Sequence, residues 1–109
     1  MNAIKHAESS VQKFGGHIED YIPIHMWLDA SKTHHGDFRH RALRHHTEGI
    51  SECEKVFGPY TKFDNKVISV RSIAEQHIME DCGRLPTVSQ WLIQIQPEPW
   101  MNRPVPIKK

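Results

Sequence analysis

Nine histidines stand in a chain of 109 residues: His6, His17, His25, His34, His35, His40, His45, His46 and His77. An imidazole can bind a divalent metal, pass a proton near neutral pH, or fill a hydrogen-bonded place in a core. Helix position separates these roles. His46 falls in an apolar stripe with Ala42, Ile50, Cys53 and Phe57, flanked by Leu43 and Val56, at helical spacing. His77 falls in a second stripe with Ile73, Ala74, Ile78 and Asp81. His25 lies one turn from Leu28 and Asp29. Three segments thus turn an imidazole toward the core or its rim. Imidazoles converging between helices can bind a divalent ion, zinc being the first choice.

The expected metal set is therefore His46 and His77, then His25 and His45, with Glu48 or Asp81 completing or supporting the shell. Asp81 follows His77 by one helical turn, so both can face one point. The chain has no H-E-x-x-H or H-x-E with C-x-x-C pattern. The clustering alone supports a metal, and His46 and His77 could equally form a buried hydrogen-bonded pair that specifies the core. If the site is catalytic, a metal-activated water acting on a phosphoester is the natural chemistry.

A second constellation overlaps the first. Lys32, Arg39, Arg41 and Arg44 stand among His34, His35, His40 and His45, opposed by Asp37. These four histidines are expected on the surface or its rim. Arg41, Arg44 and His40 could grip phosphate or a partner protein. The alternative function is thus a non-catalytic accessory protein that contacts a host protein or a nucleotide. A plainer account makes the segment a solvated helix face with Arg44 and Glu48 paired. The net charge of +1 gives little support to a nucleic-acid partner and none to a membrane surface.

Other chemistry finds little footing. Cys53 and Cys82 form no C-x-x-C pair and read as free thiols packed as small apolar groups. No serine sits in an elbow motif. Trp27, Trp91 and Trp100 read as core and docking residues. The first twelve residues lack the apolar run of a signal peptide, so a cytoplasmic location is expected.

The elements that must position these groups follow from periodicity and breakers. Residues 2–14 read as an amphipathic helix with Ile4, Ala7, Val11 and Phe14 on one face, ended by Gly15-Gly16. Pro23 suits a first helical turn, so a second helix is placed at 23–34. The spacing predicts the longest helix over 38–57, after an Asp37 cap and before Gly58-Pro59. Gly49 inside it points to close backbone packing or a bound group. Residues 60–70 read as a hairpin around Asp64-Asn65-Lys66. Residues 71–82 return to helix, stopped by Gly83. A last helix opens at Pro86-Thr87, where Thr87 and Gln90 have capping-box spacing. The fold class is mostly α (α+β), about five helices with one small hairpin. Residues 1–96 form one domain, and residues 97–109 form a Pro-rich extended tail.

Several runs also carry a resemblance. Tyr21 to Asp29, Arg39 to Ile50 (R-H-R-A-L-R-H-H-T-E-G-I), Glu54 to Gly58 and Ile73 to Thr87 are similar to a small uncharacterised domain family of bacteria and their phages. The similarity runs from about Phe14 to Leu92. It implies one compact domain, a phage or bacterial origin and a place in the bacterial cytoplasm. It implies no reaction and no catalytic residue.

Overall fold

The computed structural model describes residues 1–103. Helix α1 spans Ala3–Phe14 and α2 spans Ile18–Asp29; a 3-10 turn at Ala30–Thr33 and another at Phe38–Leu43 follow. Next come α3 (Thr47–Phe57), β1 (Tyr60–Phe63), β2 (Lys66–Ser69), α4 (Val70–Cys82), α5 (Val88–Leu92) and a 3-10 turn at Pro99–Asn102. The described residues thus form a small α+β fold dominated by helix.

Helices α1, α2, α3 and α4 pack around one apolar cluster. Its buried members are Ala7, Tyr21, Ile24, Leu28, Ile50, Cys53, Val70, Ile73, Ala74 and Ile78. In α1 the buried residues are His6, Ala7 and Ser10, whereas Ile4 is exposed. The stripe expected for this helix is therefore rotated: two polar residues take the inner face, and Val11 and Phe14 pack at its edge.

Two helical boundaries correct the sequence reading. Helix α2 starts at Ile18, five residues before Pro23. The Asp20 carboxylate accepts the His17 backbone N–H at 2.8 Å, which closes the helix start and leaves Pro23 inside the helix. The long helix expected over 38–57 is two elements. Residues 38–43 wind as a 3-10 turn, Asp37 accepting the Arg39 N–H at 2.9 Å. The chain then turns extended at His46 (φ −160°, ψ 170°) before α3 begins. Gly49 explains the break locally. A Cβ there would lie 2.0 Å from the Arg44 carbonyl oxygen, so only glycine lets the turn fold back on the helix.

The hairpin pairs Tyr60 with Ser69 and Phe63 with Lys66, antiparallel. Its turn residues Asp64 (φ 50°) and Asn65 (φ 62°) are both left-handed, as in type I′ turns, a conformation these two residue types tolerate. Ser69 then caps α4, accepting the Ser72 N–H at 3.2 Å, and Gly83 ends it in the left-handed conformation. Thr87 and Gln90 form the expected capping box on α5. Within the proposed tail, Pro99–Asn102 is a 3-10 turn rather than extended chain, and residues 104–109 lie outside the described residues. No described helix is long and apolar enough to cross a membrane.

Candidate metal centre

Polar residues four apart face inward from three helices. Helix α1 supplies His6 and Ser10; α2 supplies His25 and Asp29; α4 supplies Gln76 with Glu80 and His77 with Asp81. Four-residue spacing stacks two side chains on one helix face. Where α1, α2 and α4 meet, these pairs form a buried polar cluster beside the apolar core, and His45 joins from the turn before α3.

The geometry centres on Asp81. Its Oδ1 lies 3.1 Å from His6 Nε2; its Oδ2 lies 2.9 Å from His45 Nε2 and 3.2 Å from His77 Nε2. His77 Nε2 also sits 3.2 Å from Asp29 Oδ1. One ligand atom from each of His6, Asp29, His77 and Asp81 falls within 4.8 Å of the others. Ligands at about 2.0–2.2 Å from a tetrahedral zinc ion stand roughly 3.3–3.6 Å apart, a few tenths of an ångström wider than the His6–Asp81, His77–Asp81 and His77–Asp29 contacts. The set is closed in: His6 and His77 are fully buried, Asp81 is 2 % exposed and Asp29 is 10 % exposed.

The surroundings hold both carboxylates ionised. Burial would raise Asp81, but the hydrogen bond from His45 and the His6 and His77 rings held against the carboxylate outweigh it and keep the group far below the usual carboxylate range. Burial acts on Asp29 in the same sense, and its contacts with His77 again leave the pKa lowered. Burial pushes His45 down, so its neutral ring donates Nε2–H to Asp81. His77 runs the other way: burial would lower it, but Asp29 and Asp81 together keep it raised. Arg41 closes the outer side, donating to the Asp81 backbone carbonyl at 3.2 Å.

His6 fits a ligand best. Its Nδ1 lies 2.7 Å from Glu80, a carboxylate kept ionised, against the cost of burial, by bonds from Ser9, His6 and Gln76. Nδ1 therefore donates, and Nε2 is the nitrogen left facing Asp81. A carboxylate that orients an imidazole in this way is the common outer partner of a metal-bound histidine. Four buried atoms in and around the set have no hydrogen-bond partner among the described residues: His6 Nε2, Asp29 Oδ2, His45 Nδ1 and Asp81 Oδ1. Native interiors rarely leave such atoms unmatched. His6 Nε2 and Asp81 Oδ1 are close, yet no hydrogen bond aligns between them. A cation between these two atoms would satisfy both at once.

The residues chosen from sequence divide. His77, His45, His25 and Asp81 come together here. His46 and Glu48 do not. His46 Nδ1 accepts the Gly49 N–H at 2.9 Å, and its Nε2 lies 3.1 Å from the Ala42 carbonyl, so the backbone uses both nitrogens as the cap of α3. Glu48 is exposed and accepts the Val88 N–H at 2.8 Å, tying α3 to α5. Both were placed on a continuous helix, and the break at His46 turns them away.

The basic segment is also corrected. His40 is buried, 2.9 Å from the Ser31 hydroxyl, and His45 is buried in the cluster, so neither is a surface group. Arg44 donates to the Trp27 carbonyl and lies 3.9 Å over its ring, rather than pairing with Glu48. Arg41 is turned to Asp81. His34 and His35 are exposed, as expected. Sequence reasoning passed over His6 and Glu80 and named Asp29 only as a neighbouring carboxylate. The signal was present: His25–Asp29 repeats the His-x-x-x-Asp spacing of His77–Asp81.

A family model describing a domain of unknown function, DUF6915, matches residues 1–101. The chain belongs to that family. The match takes in every residue of the cluster, from His6 to Asp81, so the DUF6915 domain and the polar centre coincide. No curated protein and no solved structure matches the chain.

Proposed function

We propose that this DUF6915 chain is a divalent-metal-binding domain, with zinc the first ion to test, held by His6 Nε2, His77 Nε2, Asp29 and Asp81. One observation carries this reading. His6, with Nδ1 committed to Glu80, turns its other nitrogen onto a carboxylate oxygen that makes no hydrogen bond and has only the longer ion pairs to the N-terminus and Arg41, at 3.7 and 3.9 Å. Two imidazoles and two carboxylates suit zinc, manganese or iron, and their charge balances a divalent ion.

The closed setting favours a metal that ties α1, α2 and α4 together over one that activates water. Four protein ligands complete a structural zinc site, whereas a hydrolytic centre keeps a position open. Phosphoester hydrolysis is the further step to test only after metal is found. An accessory role through Arg41, Arg44 and His40 has less support, since each of these side chains is engaged inside the chain.

Elemental analysis of untagged protein, with melting before and after chelation, tests the proposal. Near-stoichiometric metal and a lower Tm after chelation are expected. Metal-free protein that also fails to take up zinc, manganese or iron on titration would reject it.

A further inference from the structure

A buried hydrogen-bond chain runs from α4 through α1 and α2 back to α4, ending on His77. Gln76 begins it. Its Nε2 reaches the His6 carbonyl at 3.1 Å and Glu80 Oε1 at 3.0 Å. Both partners only accept, so they fix the orientation of the amide. Gln76 Oε1 is then turned to the Ser10 hydroxyl, 2.6 Å away. That hydroxyl has one proton. The His6 carbonyl is the longer contact, at 3.1 Å, and is also served by Gln76 Nε2, so the proton goes to the nearer Gln76 Oε1.

The Ser10 oxygen also lies 2.7 Å from His25 Nε2. With its proton spent on Gln76, Ser10 accepts, and His25 carries its proton on Nε2. Neither nitrogen of His25 meets a carboxylate, and the ring is fully buried, so it stays neutral. Its Nδ1 is therefore an acceptor. That atom lies 2.9 Å from His77 Nδ1, which must donate.

We infer that Gln76, Ser10 and His25 act as positioning residues that hold a proton of His77 on Nδ1, so that Nε2, which faces Asp29 and Asp81, is the nitrogen that exchanges its proton for a metal. The relay deepens the metal-site reading and rests on it for its purpose. The proton placement itself stands on the hydrogen bonds alone. The outer partner of His77 is thus a neutral imidazole, whereas that of His6 is a carboxylate.

Removing the Ser10 hydroxyl reverses the logic. His25 Nε2–H would be a buried donor without a partner, which costs more than a buried acceptor without one. His25 then moves its proton to Nδ1 and donates to His77, whose own proton shifts to Nε2, where it blocks the metal.

Nitrogen-15 NMR of the histidine side chains tests this in the full chain, first after chelation and then with zinc. Wild-type protein should show His25 protonated at Nε2 only, and His77 protonated at Nδ1 in both conditions. In Ser10→Ala the His25 proton should move to Nδ1, and zinc affinity should fall about 10–100-fold. Ser10→Thr, which keeps the hydroxyl, should restore the wild-type pattern. Wild-type His25 protonated at Nδ1 would overturn the relay, and so would Ser10→Ala with unchanged tautomers. The wild-type spectrum decides the matter even if Ser10→Ala does not fold. The expected tautomers without zinc binding would instead reject the metal reading and leave the relay standing.

Discussion

His6 Nε2 lies 3.1 Å from Asp81 Oδ1, and no hydrogen bond joins them. The two residues are 75 positions apart in sequence and are brought together by the packing of α1 on α4. His6→Ala, His77→Ala and Asp81→Asn should each abolish stoichiometric zinc binding in calorimetry. The loaded wild-type protein should melt above its chelated form, by roughly 4–8 °C for each kcal/mol of linkage in a domain of about this size. Wild-type zinc affinity in all three variants would remove these residues from the site.

His46→Ala separates capping from ligation. The ring caps α3 through the Gly49 N–H, so its loss should cost about 0.5–2 kcal/mol in urea unfolding. Zinc stoichiometry should not change. Loss of zinc from a folded His46→Ala protein would return that residue to the metal shell.

Two glycine substitutions should move stability in opposite directions. At Gly49 an added methyl meets the Arg44 carbonyl oxygen at 2.0 Å, so Gly49→Ala should destabilise by about 1–3 kcal/mol or more. At Gly36 the same methyl meets nothing within 4 Å. There alanine only restricts the unfolded chain, and a gain of up to about 1 kcal/mol is expected. Equal denaturation midpoints for the two variants would contradict the close approach at Gly49.

Alkaline stability should reflect two buried weak acids. Burial pushes the Cys53 thiol up from 9.0 to about 12; burial, then Asp20, pushes Tyr21 up from 10.0 to about 12. The folded chain holds both protons where the unfolded chain has lost them. Their stabilisation is therefore fully present below about pH 9 and is lost as pH rises from there to about 12. Urea midpoints should fall across that window, and Tyr21→Phe should flatten part of the fall. A thiol reagent at pH 8 should leave Cys53 unmodified in folded protein.

Much of the fold could be read along the chain because its signals are local. Asp37, Thr87 with Gln90, Gly83 and the Asp64-Asn65 turn act through neighbours a few residues away, and each does what its chemistry predicts. The long middle helix misled for the converse reason. Its stripe has helical spacing, but the Arg44 carbonyl folds back onto Gly49, a contact that spacing does not encode.

The site divides along the same line. Sequence alone determined that His77 and Asp81 share one face of α4, because four-residue spacing is a property of the helix itself. It likewise placed His25 and Asp29 on one face of α2. Tertiary structure alone decided that His6 enters, that His46 leaves, and that Arg41 and Arg44 turn inward. The physical reason is burial. A histidine on an otherwise mixed face of α1 looks like a surface group until α4 brings Glu80 and Asp81 against it, and those partners lie more than 70 residues away.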